Sequence, residues 1–147
     1  MIKKEIVAAE LKRIEGEGGA LTPHAVVEAA RASNSLLHLL FDWDNSSAGE
    51  KYRLWQARQL ISVQRTIFQE REVHQYYNIE LTEDQEAVRA YFPLEQVMSK
   101  EALYKQALAS AVKDLEVWLK RYEDLKGLKN VVNLSVLEQA RVTVASI

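Results

Sequence analysis

Residues 21–61 read LTPHAVVEAARASNSLLHLLFDWDNSSAGEKYRLWQARQLI, and this stretch decides the fold. It opens with a helix start. Thr22 can accept a hydrogen bond from a free backbone N–H of the first turn, and Pro23 takes the first helical position, where its missing N–H has no partner to lose. Leu21 and Val26 have the spacing of a hydrophobic staple. Val26, Val27 and Ala30 form the inward stripe of a helix that runs to about residue 32, where Ser33-Asn34-Ser35 breaks it. The apolar run 36–41 is too short to stand alone and reads as a short buried helix. Asp42-Trp43-Asp44-Asn45-Ser46 reads as a turn whose side chains bond the local backbone while Trp43 plugs the core. Ser47 and Glu50 then have capping-box spacing. They start a helix over 48–61, striped by Leu54, Ala57 and Ile61 and bordered by Tyr52 and Trp55.

The flanks extend this pattern. In 3–15, Val7, Leu11 and Ile14 fall on one helical face, and Gly16, Gly18 and Gly19 supply the end. From residue 62 the helical period fades. Val63, Ile67, Phe68, Val73, Tyr76, Tyr77, Ile79 and Leu81, with polar spacers, predict one or two strands. Residues 82–86 read as a turn, and 87–94 as a strand stopped by Pro93. Ser99 caps a predicted helix over 100–126, about 40 Å long. Its apolar face is Tyr104, Leu108, Ala111, Leu115, Trp118, Leu119, Tyr122 and Leu125, and Gly127 ends it. Leu134, Val136, Leu137, Val142, Val144 and Ile147 make the tail too apolar to be solvated, so it should pack on the body or on a second copy.

The predicted class is therefore mainly α (α+β), in one domain spanning 1–147. It comprises a helix-turn-helix-like bundle over 1–61, a short β-hairpin over 62–94, a long amphipathic helix over 99–127 and an apolar tail over 128–147.

Composition narrows the function. The 147 residues include no cysteine, which excludes disulfides and cysteine-ligated zinc and suits a reducing compartment. The charged start has no apolar run of secretory type, and no stretch approaches the roughly 20 apolar residues of a membrane helix. A soluble cytoplasmic protein, with no membrane partner, is the expectation. Nineteen basic residues face 21 acidic ones, so a general electrostatic grip on nucleic acid is absent, although charge can segregate onto one face.

Catalytic patterns are wanting. His24, His38 and His74 form no two-histidine metal pair. His38 and Asp42 share a helical spacing but are too few for a metal site. Asp42 and Asp44 flank Trp43 and could hold magnesium in a small nuclease, with other carboxylates supplying the remainder. Their commoner role at such a junction is to cap the next helix. Gly16-Glu17-Gly18-Gly19 carries a glutamate that would repel phosphate, so it reads as a turn. Nucleophile-elbow, P-loop and dinucleotide patterns are absent. The expectation is a non-enzymatic protein with no catalytic residue, no metal and no cofactor.

Binding is the better prospect. Lys51, Arg53, Arg58 and Arg65 lie along or just after the 48–61 helix, and Lys51, Arg58 and Arg65 recur every seven residues. These four are the candidate nucleic-acid contacts, gripping phosphates of double-stranded DNA with Gln56 or Gln59 free for base edges. Arg53 and Arg58 show no evident packing duty. On the long helix, Tyr104, Leu108, Leu115, Trp118 and Tyr122 are the candidate oligomer interface. Ala107, Ala109 and Ala111 allow close approach, and the steps are not strict heptads, which favours a bundle interface over an extended coiled coil.

The pattern of leucine-threonine-proline, a VVEAAR helix, an aromatic-Trp-Asp turn and a YRLxQAR helix in residues 21–61 resembles small uncharacterised proteins encoded by phages and prophages. Residues 88–122, with a short strand before a helix ending at LKRYEDL, resemble them more loosely, and the tail has no counterpart. The resemblance covers most of the chain. It implies a phage context and carries no assigned activity or catalytic residue. The leading expectation is a phage-type accessory protein, oligomeric, that binds DNA or a DNA-processing complex. The alternative is a virion or regulatory subunit that binds phage or host proteins and ignores nucleic acid.

Overall fold

The structure, a computed structural model, describes residues 2–45, 49–83, 86–122, 124–125 and 134–146. The chain is mainly helical with antiparallel hairpins, the mixed class its patterning predicts. Where the sequence reads as one domain, the fold divides into two compact units, Met1–Leu94 and Glu95–Ile147.

In the first unit, α1 spans Lys4–Gly18 and buries Val7, Leu11 and Ile14. It runs through Gly16 and Gly18, which the sequence reading assigned to its end. Helical glycine costs about 1 kcal/mol relative to alanine but does not block the helix. The stop comes at Gly19, whose φ of 77° is the left-handed conformation that suits glycine, and its N–H bonds the Glu15 carbonyl at 2.7 Å. The second helix, α2, spans Pro23–Arg31 and buries Val26, Val27 and Ala30, and Thr22 Oγ1 accepts from the Ala25 N–H at 3.1 Å. The run 36–41 holds only a 3-10 turn at His38–Leu40. Leu37 and Phe41 are buried there, whereas Leu36 and Leu39 face solvent.

Helix α3 spans Gly49–Ser62 and packs against α2. The predicted capping serine, Ser47, lies outside the described residues. The buried stripe of α3 is Gly49, Arg53, Ala57 and Ile61. Leu54, expected inside it, is half-buried.

Two hairpins follow, where the sequence predicts one. In the first, β1 (Arg65–Phe68) pairs antiparallel with β2 (Arg71–His74), with Phe68 opposite Arg71 across a two-residue turn. Gln69 and Glu70 form that turn with φ of 48° and 64°. Neither is the glycine or asparagine that marks such turns, so the hairpin is hidden in the sequence. In the second, β3 (Tyr76–Glu83) pairs with β4 (Glu86–Pro93), with Tyr76 opposite Pro93. A bridge from Leu21 to Tyr91 and a 3.1 Å hydrogen bond from the Tyr76 hydroxyl to Glu15 fasten this hairpin to the helices. The core gathers Leu11, Leu21, Val26, Leu37, Ile61 and Tyr76, among others.

A short helix, α4 (Leu94–Ser99), follows Pro93. Ser99 thus ends one helix where it was expected to cap the next. In the second unit, α5 spans Glu101–Arg121 and closes with a bond from the Tyr122 N–H to the Leu119 carbonyl, short of the predicted residue 126. The tail is a helix, α6 (Leu134–Ser146), in contact with α5. Gly127, the predicted stop, lies outside the described residues.

Candidate binding face on the third helix

Arg53 does not reach out to a ligand. It is 4% exposed. Its guanidinium donates to the Asp42 carbonyl at 3.2 Å, the Asp44 carbonyl at 3.5 Å and Asn45 Oδ1 at 3.3 Å. Its Nε donates to Glu50 at 3.2 Å. It also lies 5.4 Å from the centre of the Trp43 ring, a cation–π contact. Arg53 therefore has the packing duty that sequence reasoning denied it, and its assignment to phosphates is corrected. A guanidinium with five donors can satisfy several carbonyls of one loop at once, which no apolar side chain at that position could do.

The neighbourhood completes the lock. Trp43 packs on the core, stacks with His38 at 4.8 Å and donates from Nε1 to the His38 carbonyl at 2.8 Å. His38 donates from Nδ1 to the Ala30 carbonyl at 2.9 Å, which ties the 3-10 turn to α2. Gln56, the expected reader of base edges, accepts from the Asp42 N–H and donates to the Leu40 carbonyl. Glu50 accepts from Arg31 at 3.0 Å as well as from Arg53, and the Arg31 hydrogen bond is the main reason its carboxyl is held below the usual range. Gly49 lets the loop approach closely here, because a Cβ would lie 2.5 Å from the Asp44 carbonyl oxygen and force the backbone to shift.

With Arg53 and Gln56 turned inward, the outer face of α3 presents Lys51, Tyr52, Trp55, Arg58 and Gln59. Tyr52 and Trp55 are 46% and 50% exposed and stack with ring centres 5.6 Å apart. Lys51 and Arg58 lie two turns apart, about 10 Å along the axis, on the same side as Trp55. Neither has an ion-pair partner among the described residues. Arg65 leaves this stripe because α3 ends at Ser62. It begins β1, and its guanidinium donates to the Ser62 and Gln64 carbonyls and to His74 Nδ1. It also borders a hollow of about 350 Å3 whose other charged walls are Lys4, Glu5 and Glu72, a mixed-sign surface.

The paired aspartates have local work: Asp42 Oδ1 accepts from the Asp44 N–H at 2.9 Å. Among the described residues no three histidines or carboxylates converge on a point that could hold a metal ion. No helix among them is long and apolar enough to cross a membrane. Of the α5 residues singled out in sequence, Tyr104, Leu115 and Trp118 are exposed, and Leu108 and Tyr122 are half-buried. Trp118 and Tyr122 meet at 5.1 Å. Compared with protein-family models, curated proteins and solved structures, the chain matches none.

Proposed function

We propose that this protein is a non-enzymatic binding module whose outer α3 face grips another protein. The observation that carries it is the Tyr52–Trp55 stack, about half exposed, with Lys51 and Arg58 beside it, neither ion-paired among the described residues. Tryptophan, tyrosine and arginine are the residues that dominate affinity when they sit together at a protein interface. The rigid lock of Arg53, Trp43 and Gln56 underneath holds the helix, so the face is presented without an ordering cost. The likeness of residues 21–61 to phage-encoded proteins supplies the setting, with phage or host proteins as partners.

Contact with double-stranded DNA through the same face is the second reading, and Lys51 and Arg58 favour it. It draws on Lys51 and Arg58 rather than on all four cations singled out in the sequence, in a chain of net charge −2. One experiment separates them. A photo-crosslinking side chain at Trp55 should give a discrete, saturable protein adduct in host extract, and Arg58→Glu should abolish it. Duplex DNA should show no binding whose strength falls with salt. Salt-dependent DNA binding lost in the Lys51→Ala/Arg58→Ala pair would transfer the face to nucleic acid. Failure of both assays would remove it from function altogether.

A further inference from the structure

The α5 helix carries a second face with a different logic. Tyr104, Leu108, Ala111, Leu115, Trp118 and Tyr122 step alternately by four and three residues once Leu119 is set apart, which is the seam of a coiled coil. Leu119 is half-buried on the adjoining flank with Lys105, Val112 and Glu116. Much of the seam is open: Tyr104 is 39%, Leu115 45% and Trp118 43% exposed, while Leu108 and Tyr122 are half-buried.

We infer that this seam is covered by α5 of a second copy, running antiparallel, with Asp114 of one subunit against Arg121 of the partner subunit. The charges select this occupant and direction. Taking Leu108 and Leu115 as the first core position of each heptad, one flank carries the half-buried Ala107 and the exposed Asp114 and Arg121, and the other carries Lys105, Val112 and Leu119, all half-buried. Asp114 and Arg121 are exposed and have no ion-pair partner among the described residues. In a parallel pair the two kinds of flank meet, and Asp114 would face an apolar leucine. In an antiparallel pair like flanks meet, so Asp114 reaches the partner's Arg121, and the two-fold axis makes the pair twice. The same register sets Leu115 against the partner's Trp118 and Ala111 against the partner's Tyr122. Small against large lets the helices close. The inference is independent of what α3 binds.

Sedimentation equilibrium of the full chain tests it. The wild type should dimerise in the micromolar range. Asp114→Arg and Arg121→Asp should each weaken the dimer about tenfold, because each turns two attractive contacts into repulsive ones. The double swap should restore it to near the wild-type constant, with unchanged helical circular dichroism throughout. Because the chain has no cysteine, Asp114→Cys/Arg121→Cys gives an orientation check that keeps the net charge and reads proximity rather than ion pairing. Two cysteines seven residues apart on one helix are about 10 Å apart and cannot bridge internally, so mild oxidation should trap a covalent dimer. A monomeric wild type, single swaps without effect, or a double cysteine variant that stays monomeric on oxidation would each overturn the assignment.

Discussion

Replacing Arg53 with alanine should unfasten the 42–45 loop from α3 and cost about 3–4 kcal/mol of the first unit's stability. The figure follows from the surroundings of the side chain. Four hydrogen bonds are lost at 3.2, 3.5, 3.3 and 3.2 Å. All are long, so together they are worth about 2 kcal/mol rather than the sum of four ideal charged bonds. Two buried methylenes beyond Cβ add about 1.5 kcal/mol. The contact with Trp43 adds about 0.5–1 kcal/mol. These contributions overlap, which keeps the total below their sum. Glu50 is half-exposed and retains Arg31, so no buried charge is stranded. Arg53→Met keeps most of the stem and should cost about 2 kcal/mol, isolating the polar share. Urea unfolding followed by circular dichroism and tryptophan fluorescence is the assay, with Lys51→Ala as a surface control expected within about 0.5 kcal/mol of wild type. An Arg53→Ala chain as stable as that control would refute the lock and return the guanidinium to ligand binding.

Three further outcomes are expected. Gly49→Ala should destabilise the same unit by about 2 kcal/mol in the same assay, because its Cβ meets the Asp44 carbonyl at 2.5 Å. Glu70→Gly should stabilise the first hairpin by roughly 0.5–1 kcal/mol, because it relieves a left-handed non-glycine residue, and slower amide exchange across 65–74 would show it. Glu50 has a folded pKa below its ordinary value, mainly through the Arg31 hydrogen bond, so its contribution is full above the unfolded carboxylate range and is lost as pH falls through the depressed value. Thermal melts of Glu50→Gln should thus fall off less steeply in acid than wild type. Equal slopes would mean that the carboxylate contributes nothing.

Much of this fold is legible in local chemistry. Thr22 and Pro23 announce α2, and the spacing of Val7, Leu11 and Ile14 picks out the buried face of α1, because both signals act within a turn or two of helix. The first hairpin is illegible because Gln69 and Glu70 are held left-handed by strand pairing rather than by their own preference. Arg53 is misjudged because its partners come from a loop eight to eleven positions away. A signal was nonetheless present. Gly49, Arg53, Ala57 and Ile61 step by four, so Arg53 stands on the buried stripe. The sequence marks the outer face in part, through Lys51 and Arg58, while Tyr52 and Trp55 read there as borders of the core. An aromatic at the edge of an amphipathic stripe looks the same whether a neighbour covers it or not.

The clasp between the N-terminal helices and the second hairpin sets an order of events during synthesis. Glu15 must wait for Tyr76, 61 positions later, and Leu21 must wait for Tyr91. On the ribosome, α1 to α3 therefore emerge with their apolar stripes only partly covered. The unit can close only when β4 clears the exit tunnel. Chains cut short within the hairpin would carry that uncovered surface, and would be the ones that chaperones and proteases recognise.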